Sequence, residues 1–469
     1  MIHTAKSATH PFAAGYPGRA VYAAAVSLLV TIAGCRSDHA ERVVALVGAT
    51  VIDGTGAPAA PEQTILIEGE RIAAVGRDVV VPQNATVIDV TGNAVIPGLI
   101  DMHGHMYAFS SNQFEAYPKL FLAGGVTTVF SPGDFDPAGM IALRDSIARG
   151  ETVGSRILTA GPYFDHAPSI VPWIEGVSSV AEALDKFALW RDSIDAVKVY
   201  AGITEQEITG LIAAAHDAGL FVTGHLGGIP TRRAVALGID GLEHGIFAMA
   251  ELSPHGPTAP INEQYCALAE LDLGSPVVDS VMSDIVARGV YVTPTIVTMQ
   301  AMHPEFDPVV ADWERYLSDD MREALAQRAE FLDARGADCL RRAVEKQLEF
   351  VGLLHRRGGV ILVGTDPVTP ELVPGYALHR ELQNLVAAGL TPLEAITAAT
   401  ANAAAALGRD GELGTIAPGR WADLVVVEGD PSVEIASISN IRLVLKAGNQ
   451  YDPAALRQSA VGLIGVARN

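Results

Sequence analysis

Apolar and polar positions alternate in short bursts near both ends of the chain and follow a longer rhythm between them. Residues 43–47, 64–67, 71–75, 79–81 and 86–90 are rich in β-branched side chains and are separated by Gly54, Gly56, Pro58, Gly69 and Pro82. Gly and Pro supply turn conformations that strands cannot adopt, so this punctuation predicts a small all-β unit. The far end repeats the style at 414–416, 422–427 and 441–446, with Pro418-Gly419 as a turn. Neither stretch can bury a face alone. They are expected to pair into one discontinuous β-sandwich domain, built from 43–93 and 411–450.

Between them, short apolar runs alternate with helical patterns at 137–148, 180–193, 204–218 and 231–237. The runs are 94–100, 126–130, 156–160, 196–200, 221–224, 241–243, 290–294 and 360–364. Strand-then-helix alternation predicts βα units on a parallel sheet, and eight of them fit an α/β fold of the (β/α)8 TIM barrel type over 94–410. Two connections are long, 245–288 and 296–357. The second is helix-rich and charged between Trp313 and Phe350, and is expected to act as a lid or as an interface, for instance between copies of the chain.

Composition narrows the partners. The 469 residues carry a net charge of −22, and such a surface repels phosphate backbones, which argues against nucleic acid and for a small-molecule substrate. The three cysteines, Cys35, Cys266 and Cys339, are too few for a disulfide framework or a CxxC zinc site. Any metal is therefore expected on histidine, carboxylate or something less usual. Residues 1–19 hold Lys6 and Arg19 but no acid, and an uncharged apolar run over 20–34 ends at Cys35. That run is short for a membrane span and reads as a secretory signal. Ile32-Ala33-Gly34-Cys35 resembles the bacterial lipobox. The resemblance implies a lipoprotein signal peptide over 1–34 and a lipidated Cys35. It also implies attachment to a membrane, on the periplasmic face of the outer membrane, through lipid instead of a helix.

The candidate chemistry sits at strand ends. Asp101-Met102-His103-Gly104-His105 places two histidines two apart, so an extended backbone points both to one side. His225 closes the fifth apolar run, Glu243-His244 the sixth and Gly364-Thr365-Asp366 the eighth. In a barrel these groups converge on one rim, where a cluster of imidazoles and a carboxylate suits a divalent metal. Lys198 lies inside the apolar run Ala196-Val197-Lys198-Val199-Tyr200, where a lone ammonium is expensive to bury. Either a carboxylate pairs with it or its amine has become a carbamate. His166, Tyr200 and Tyr107 follow nearby strands and are candidate contacts for a substrate carbonyl or carboxylate.

These motifs resemble the amidohydrolase superfamily, in its binuclear branch with a carboxylated lysine. They are most similar to imidazolonepropionase-like amidohydrolases and Xaa-Pro dipeptidases. The likeness extends to Gly414-Thr415-Ile416-Ala417-Pro418-Gly419-Arg420-Trp421-Ala422-Asp423-Leu424. It implies two divalent ions, zinc by expectation. His103, His105 and Asp366 would hold one, His225 and His244 the other, and carboxylated Lys198 would bridge them. It further implies attack by a shared hydroxide, with Asp366 as general acid and base, on an amide of a dipeptide or N-acyl amino acid. A lactone, ester or cyclic amide is the alternative substrate. Pro367-Val368 replaces the Ser-Gly common in dipeptidase relatives, a departure that bears on substrate preference.

Overall fold

The computed structural model describes residues 42–108, 111–252, 259–326 and 334–465. The expected signal over 1–34 and the lipidated Cys35 lie outside them. No helix among the described residues is long and apolar enough to cross a membrane.

The two ends of the described chain do pair. Strand Val43–Val51 runs antiparallel to Ala60–Glu68 and parallel to Thr86–Asp89 and Asn93–Pro97. Asn93–Pro97 then pairs antiparallel with Leu424–Glu428, which continues through Ile441–Lys446 to Asn449–Tyr451. With Arg71–Gly76 antiparallel to Ala60–Glu68, the pairing makes one hydrogen-bonded sheet of eight strands, where two stacked sheets were expected. Leu46, Ile65, Ile67, Val95, Leu424 and Val426 are fully buried on its apolar side. Two strands expected in these end segments are absent. Residues 79–81 form none, and Val80 is 84% exposed with no apolar layer to receive it. Residues 414–416 form a bend, because Gly414 adopts a φ of 82° that breaks extension.

The expected strand 94–100 is two strands. Asn93–Pro97 belongs to the end sheet and Leu99–Asp101 opens the parallel set. Gly98 sits at the crossing, where a Cβ would lie 2.1 Å from Thr127 Oγ1, so no larger residue fits. Leu99–Asp101, Val126–Ser131 and Arg156–Thr159 form one parallel sheet. Tyr163–Phe164, Ala196–Val199, Phe221–Gly224, Gly241–Glu243 and Tyr291–Thr293 form another. Most residues of these strands are buried, as parallel strands covered on both faces require. Residues 360–364 make a single bridge, Ile361 to Val292, and no regular strand. Their hydrogen bonds are divided: Leu362 N donates to Val292 O on one side, and Met102 N donates to Val363 O on the other. Asp195 N donates to Thr159 O, bridging the two sheets.

Helices Pro137–Ala148 and Thr231–Leu237 match their patterns, and Val180–Trp190 ends three residues early. Glu205–Asp217 starts at a reciprocal cap between Thr204 and Glu207, which satisfies backbone donors that the first turn leaves free. The 296–357 connection holds helices Ile296–Ala301, Asp319–Ala326 and Ala334–Arg356. The last buries Leu340, Ala343, Gln347, Phe350, Val351 and Leu354 along one stripe and packs on helix Ile261–Ala269. A disulfide between Cys266 and Cys339 joins these two helices. The cysteine count excludes a framework of several bridges, and a single bridge leaves that expectation standing. One bridge needs only two thiols brought together by folding, and their separation of 73 residues conceals it.

Candidate metal centre

The ligand atoms of His103, His105 and Asp366 all lie within 4.8 Å of one another. Asp366 Oδ1 is 3.4 Å from His105 Nε2 and 3.7 Å from His103 Nε2, and Asp366 Oδ2 is 3.9 Å from His244 Nδ1. The His244 ring centroid lies 4.7 Å from that of His103 and 4.5 Å from that of His225. Lys198 lines the same cavity as all five. The six side chains singled out as ligands therefore meet around one space.

The backbone is bent to achieve this. His244, Thr295 and Asp366 have φ values of 62°, 44° and 44°, left-handed conformations that non-glycine residues rarely adopt. Each costs about 1–3 kcal/mol and persists only where the surroundings enforce it. Buried polar groups supply that enforcement. Asp101 accepts from His103 N at 3.0 Å, Thr365 N at 3.1 Å and Thr365 Oγ1 at 2.6 Å, tying the first strand end to the segment that carries Asp366. Gln347 accepts from Ile246 N and donates to His244 O and Pro294 O, so helix Ala334–Arg356 braces two of the bent turns. Glu243 Oε2 lies 2.7 Å from His103 Nδ1, and its other oxygen accepts from Thr223 Oγ1. A carboxylate there holds the proton on Nδ1 and leaves Nε2 free to face Asp366.

Electrostatics fit a cation that the protein side chains do not themselves supply. Burial holds His105 and His244 well below the ordinary histidine range and pushes His225 down to about 3, so these rings are neutral and keep a lone pair for a metal. Burial raises Asp366 despite His103 and Lys198 nearby. Burial would raise Glu243 too, but Lys198 and His103 outweigh it and hold that carboxyl at about 2. Lys198 Nζ is buried with no hydrogen-bond partner, and burial lowers its pKa. An orphaned amine among ligating side chains is what a carbamate-forming lysine requires. The residues present thus suit divalent ions and a modified lysine.

Of the candidate substrate contacts, Tyr107 stacks on His105 with centroids 4.5 Å apart, and Tyr200 lies 4.7 Å from His225. Both line the cavity. His166 does not. Its Nδ1 is paired with Glu207 at 2.9 Å, because the helix cap that fixes Glu207 also draws the imidazole away. Asp101, Glu243 and Gln347 carry no role in the sequence reading. Buried acids at the ends of apolar strands were the available signal for the first two; nothing local marks Gln347. A second cavity, of about 270 Å³, adjoins the first, of about 250 Å³. His225, His244, Asp366 and Val368 line both.

Histidines and a carboxylate gathered at the ends of parallel strands are the arrangement of a metal-dependent hydrolase. The sequence signature of the Amidohydrolase family matches residues 94–451, and the chain belongs to that family. Adenine deaminase 2 of Agrobacterium fabrum is 26% identical over 412 residues, 85% of this chain, which spans only 55% of that relative's length. The enamidase of Eubacterium barkeri is 25% identical over 408 residues, covering 83% of this chain and 87% of its own. The crystal structure of a Xaa-Pro dipeptidase with bound methionine in the active site superposes with a TM-score of 0.66 at 21% identity. It covers 87% of this chain and all of that one, a likeness of fold.

Proposed function

We propose that the protein hydrolyses the amide carbon–nitrogen bond of a small dipeptide-like or N-acyl amino acid substrate. The observation that carries this is the meeting of His103, His105, His225, His244 and Asp366 around the partnerless amine of Lys198. His103, His105 and Asp366 would hold one divalent ion and His225 and His244 the other, zinc by expectation. Lys198, with CO2 added to its nitrogen and a proton lost, would bridge them. Bound ions supply a Lewis acid for the carbonyl and lower the pKa of water toward about 7. The Asp366 carboxylate takes a proton from the attacking water and returns it to the departing nitrogen, help worth roughly 10²–10⁴-fold. Tyr107 and Tyr200 border the space where the carbonyl must sit.

The same reading extends to the frame. We infer that the parallel strands close as a (β/α)8 barrel, supported by the backbone bonds from Met102 to Val363 and from Leu362 to Val292. The lipidated, periplasmic location is also a proposal. A Cys266–Cys339 disulfide is consistent with it, since disulfides persist in oxidising compartments.

The test is a metal count combined with an amide screen. Asp366→Asn should keep its metal and lose most amide hydrolysis. Near-unchanged turnover in a fully loaded Asp366→Asn protein removes Asp366 from the proton-transfer role.

A further inference from the structure

We propose that the preferred substrate carries an uncharged, largely apolar group on each side of the scissile bond. That makes it an N-acyl amine, or an N-acyl amino acid with its carboxyl group masked, instead of a free dipeptide. This rests on the amide-hydrolase reading above, keeps its amide bond and replaces the free carboxylate of its substrates with a neutral group.

The two cavities that meet at Asp366 give the reason. One is walled by Phe247, Ile261, Tyr265, Met299 and Met302, with Val368 at the junction. The two threonine hydroxyls on that wall are already engaged: Thr298 Oγ1 donates to Thr365 O, and Thr295 Oγ1 lies 2.8 Å from His244 Nδ1. The other is walled by Tyr107, Phe135, Tyr163, Trp173 and Tyr200. Two of its phenols bond one another, Tyr107 to Tyr163 at 2.8 Å.

Among the described residues, neither cavity is lined by an arginine, and the single lysine is Lys198 at the metal centre. A carboxylate held out in either lobe, beyond reach of ions at the junction, would lose water and find no cationic side chain among the described residues, which is costly for a buried ion. The chain's net charge of −22 adds a field that opposes anions before they arrive. Cavities of about 270 and 250 Å³ accept groups the size of an aromatic ring or a branched aliphatic side chain. Trp173, 55% exposed and edge-on to Phe135 at 5.8 Å, offers a flat apolar surface at the rim of the second lobe. Apolar walls with few polar groups select by shape and desolvation, so charge at either flank is what they reject.

The test uses two amides that differ only in a carboxylate, N-benzoyl-leucine and N-benzoyl-3-methylbutylamine. With metal-loaded full-length protein, kcat/KM for benzoate release is measured for each. Calorimetric Kd values are measured in parallel for the matching ketones, in which CH2 replaces the amide NH and cleavage is impossible. The neutral member is expected to be favoured at least tenfold in both measurements. If both amides are cleaved but the acid is cleaved equally well or better, the charge inference is overturned and the hydrolase reading stands. If neither amide is cleaved, amide hydrolysis is overturned for this pair, and the ketone Kd ratio alone decides whether the lobes reject charge.

Discussion

Cys266 and Cys339 give the structure a staple whose removal has a calculable cost. They close a loop across a sequence separation of 73 residues. Loop-closure entropy puts the constraint on the unfolded chain at about 4 kcal/mol. That is a large share of the roughly 5–15 kcal/mol that holds ordinary domains together. Part of it is recovered, because helices Ile261–Ala269 and Ala334–Arg356 also pack through apolar side chains around Cys339. The perturbation is the double variant Cys266→Ala/Cys339→Ala, which leaves no free thiol at either position. Urea denaturation should give a lower midpoint for the variant, and reduced wild-type protein should follow it. Amide hydrogen exchange should rise first in those two helices and leave Asn93–Pro97 protected, since that strand belongs to the other sheet. Activity has its own signature. Tyr265, beside Cys266, walls the apolar cavity, so KM should rise more than kcat falls. A double variant with an unchanged midpoint and unchanged exchange in both helices would refute the staple.

Other outcomes follow from single side chains. Lys198→Ala should lose metal and activity, with partial rescue by a short carboxylic acid that replaces the carbamate; two ions per chain without added acid would count against the bridge. Glu243→Gln should weaken metal affinity by about 10–100-fold, because the imidazole of His103 loses the anion that orients it; competition with a chelator reads this directly. Burial raises Asp134 from 3.8 to about 7, even though Thr159 and Ser131 donate to it. A carboxyl raised on folding contributes stability that is complete below pH 3.8 and lost as pH rises through about 7. Asp134→Asn should therefore be more stable than wild type at pH 8, by up to about 4 kcal/mol, and should converge with it near pH 4. Denaturation midpoints across that range check it, and a constant difference would remove Asp134 as the cause.

The site was legible because strand ends carry their chemistry in short local words. His103-Gly104-His105, Glu243-His244 and Gly364-Thr365-Asp366 each stand at the end of an apolar run, and parallel strands put such ends together. Lys198 announced itself as a charge where only apolar residues belonged. What escaped notice depends on distant segments. Gln347 reaches His244 from a helix about a hundred residues away, which no periodicity reports. The cavity walls at Phe247, Tyr265 and Met302 come from long connections, whose path follows from packing. The break at Gly98 was hidden because the apolar run continues through it, and only the approach of Thr127 marks the change of sheet. His166 misled for the opposite reason. It follows a strand of the right kind, but Glu207 holds it elsewhere.

Anomalous diffraction from crystals of zinc-loaded protein, recorded on both sides of the zinc absorption edge, is the most direct test. Two peaks are expected, one against His103, His105 and Asp366 and the other against His225 and His244. Electron density should also extend beyond Lys198 Nζ toward both. An empty map at these residues, or an unmodified Lys198 beside a fully loaded pair, would contradict the proposed centre.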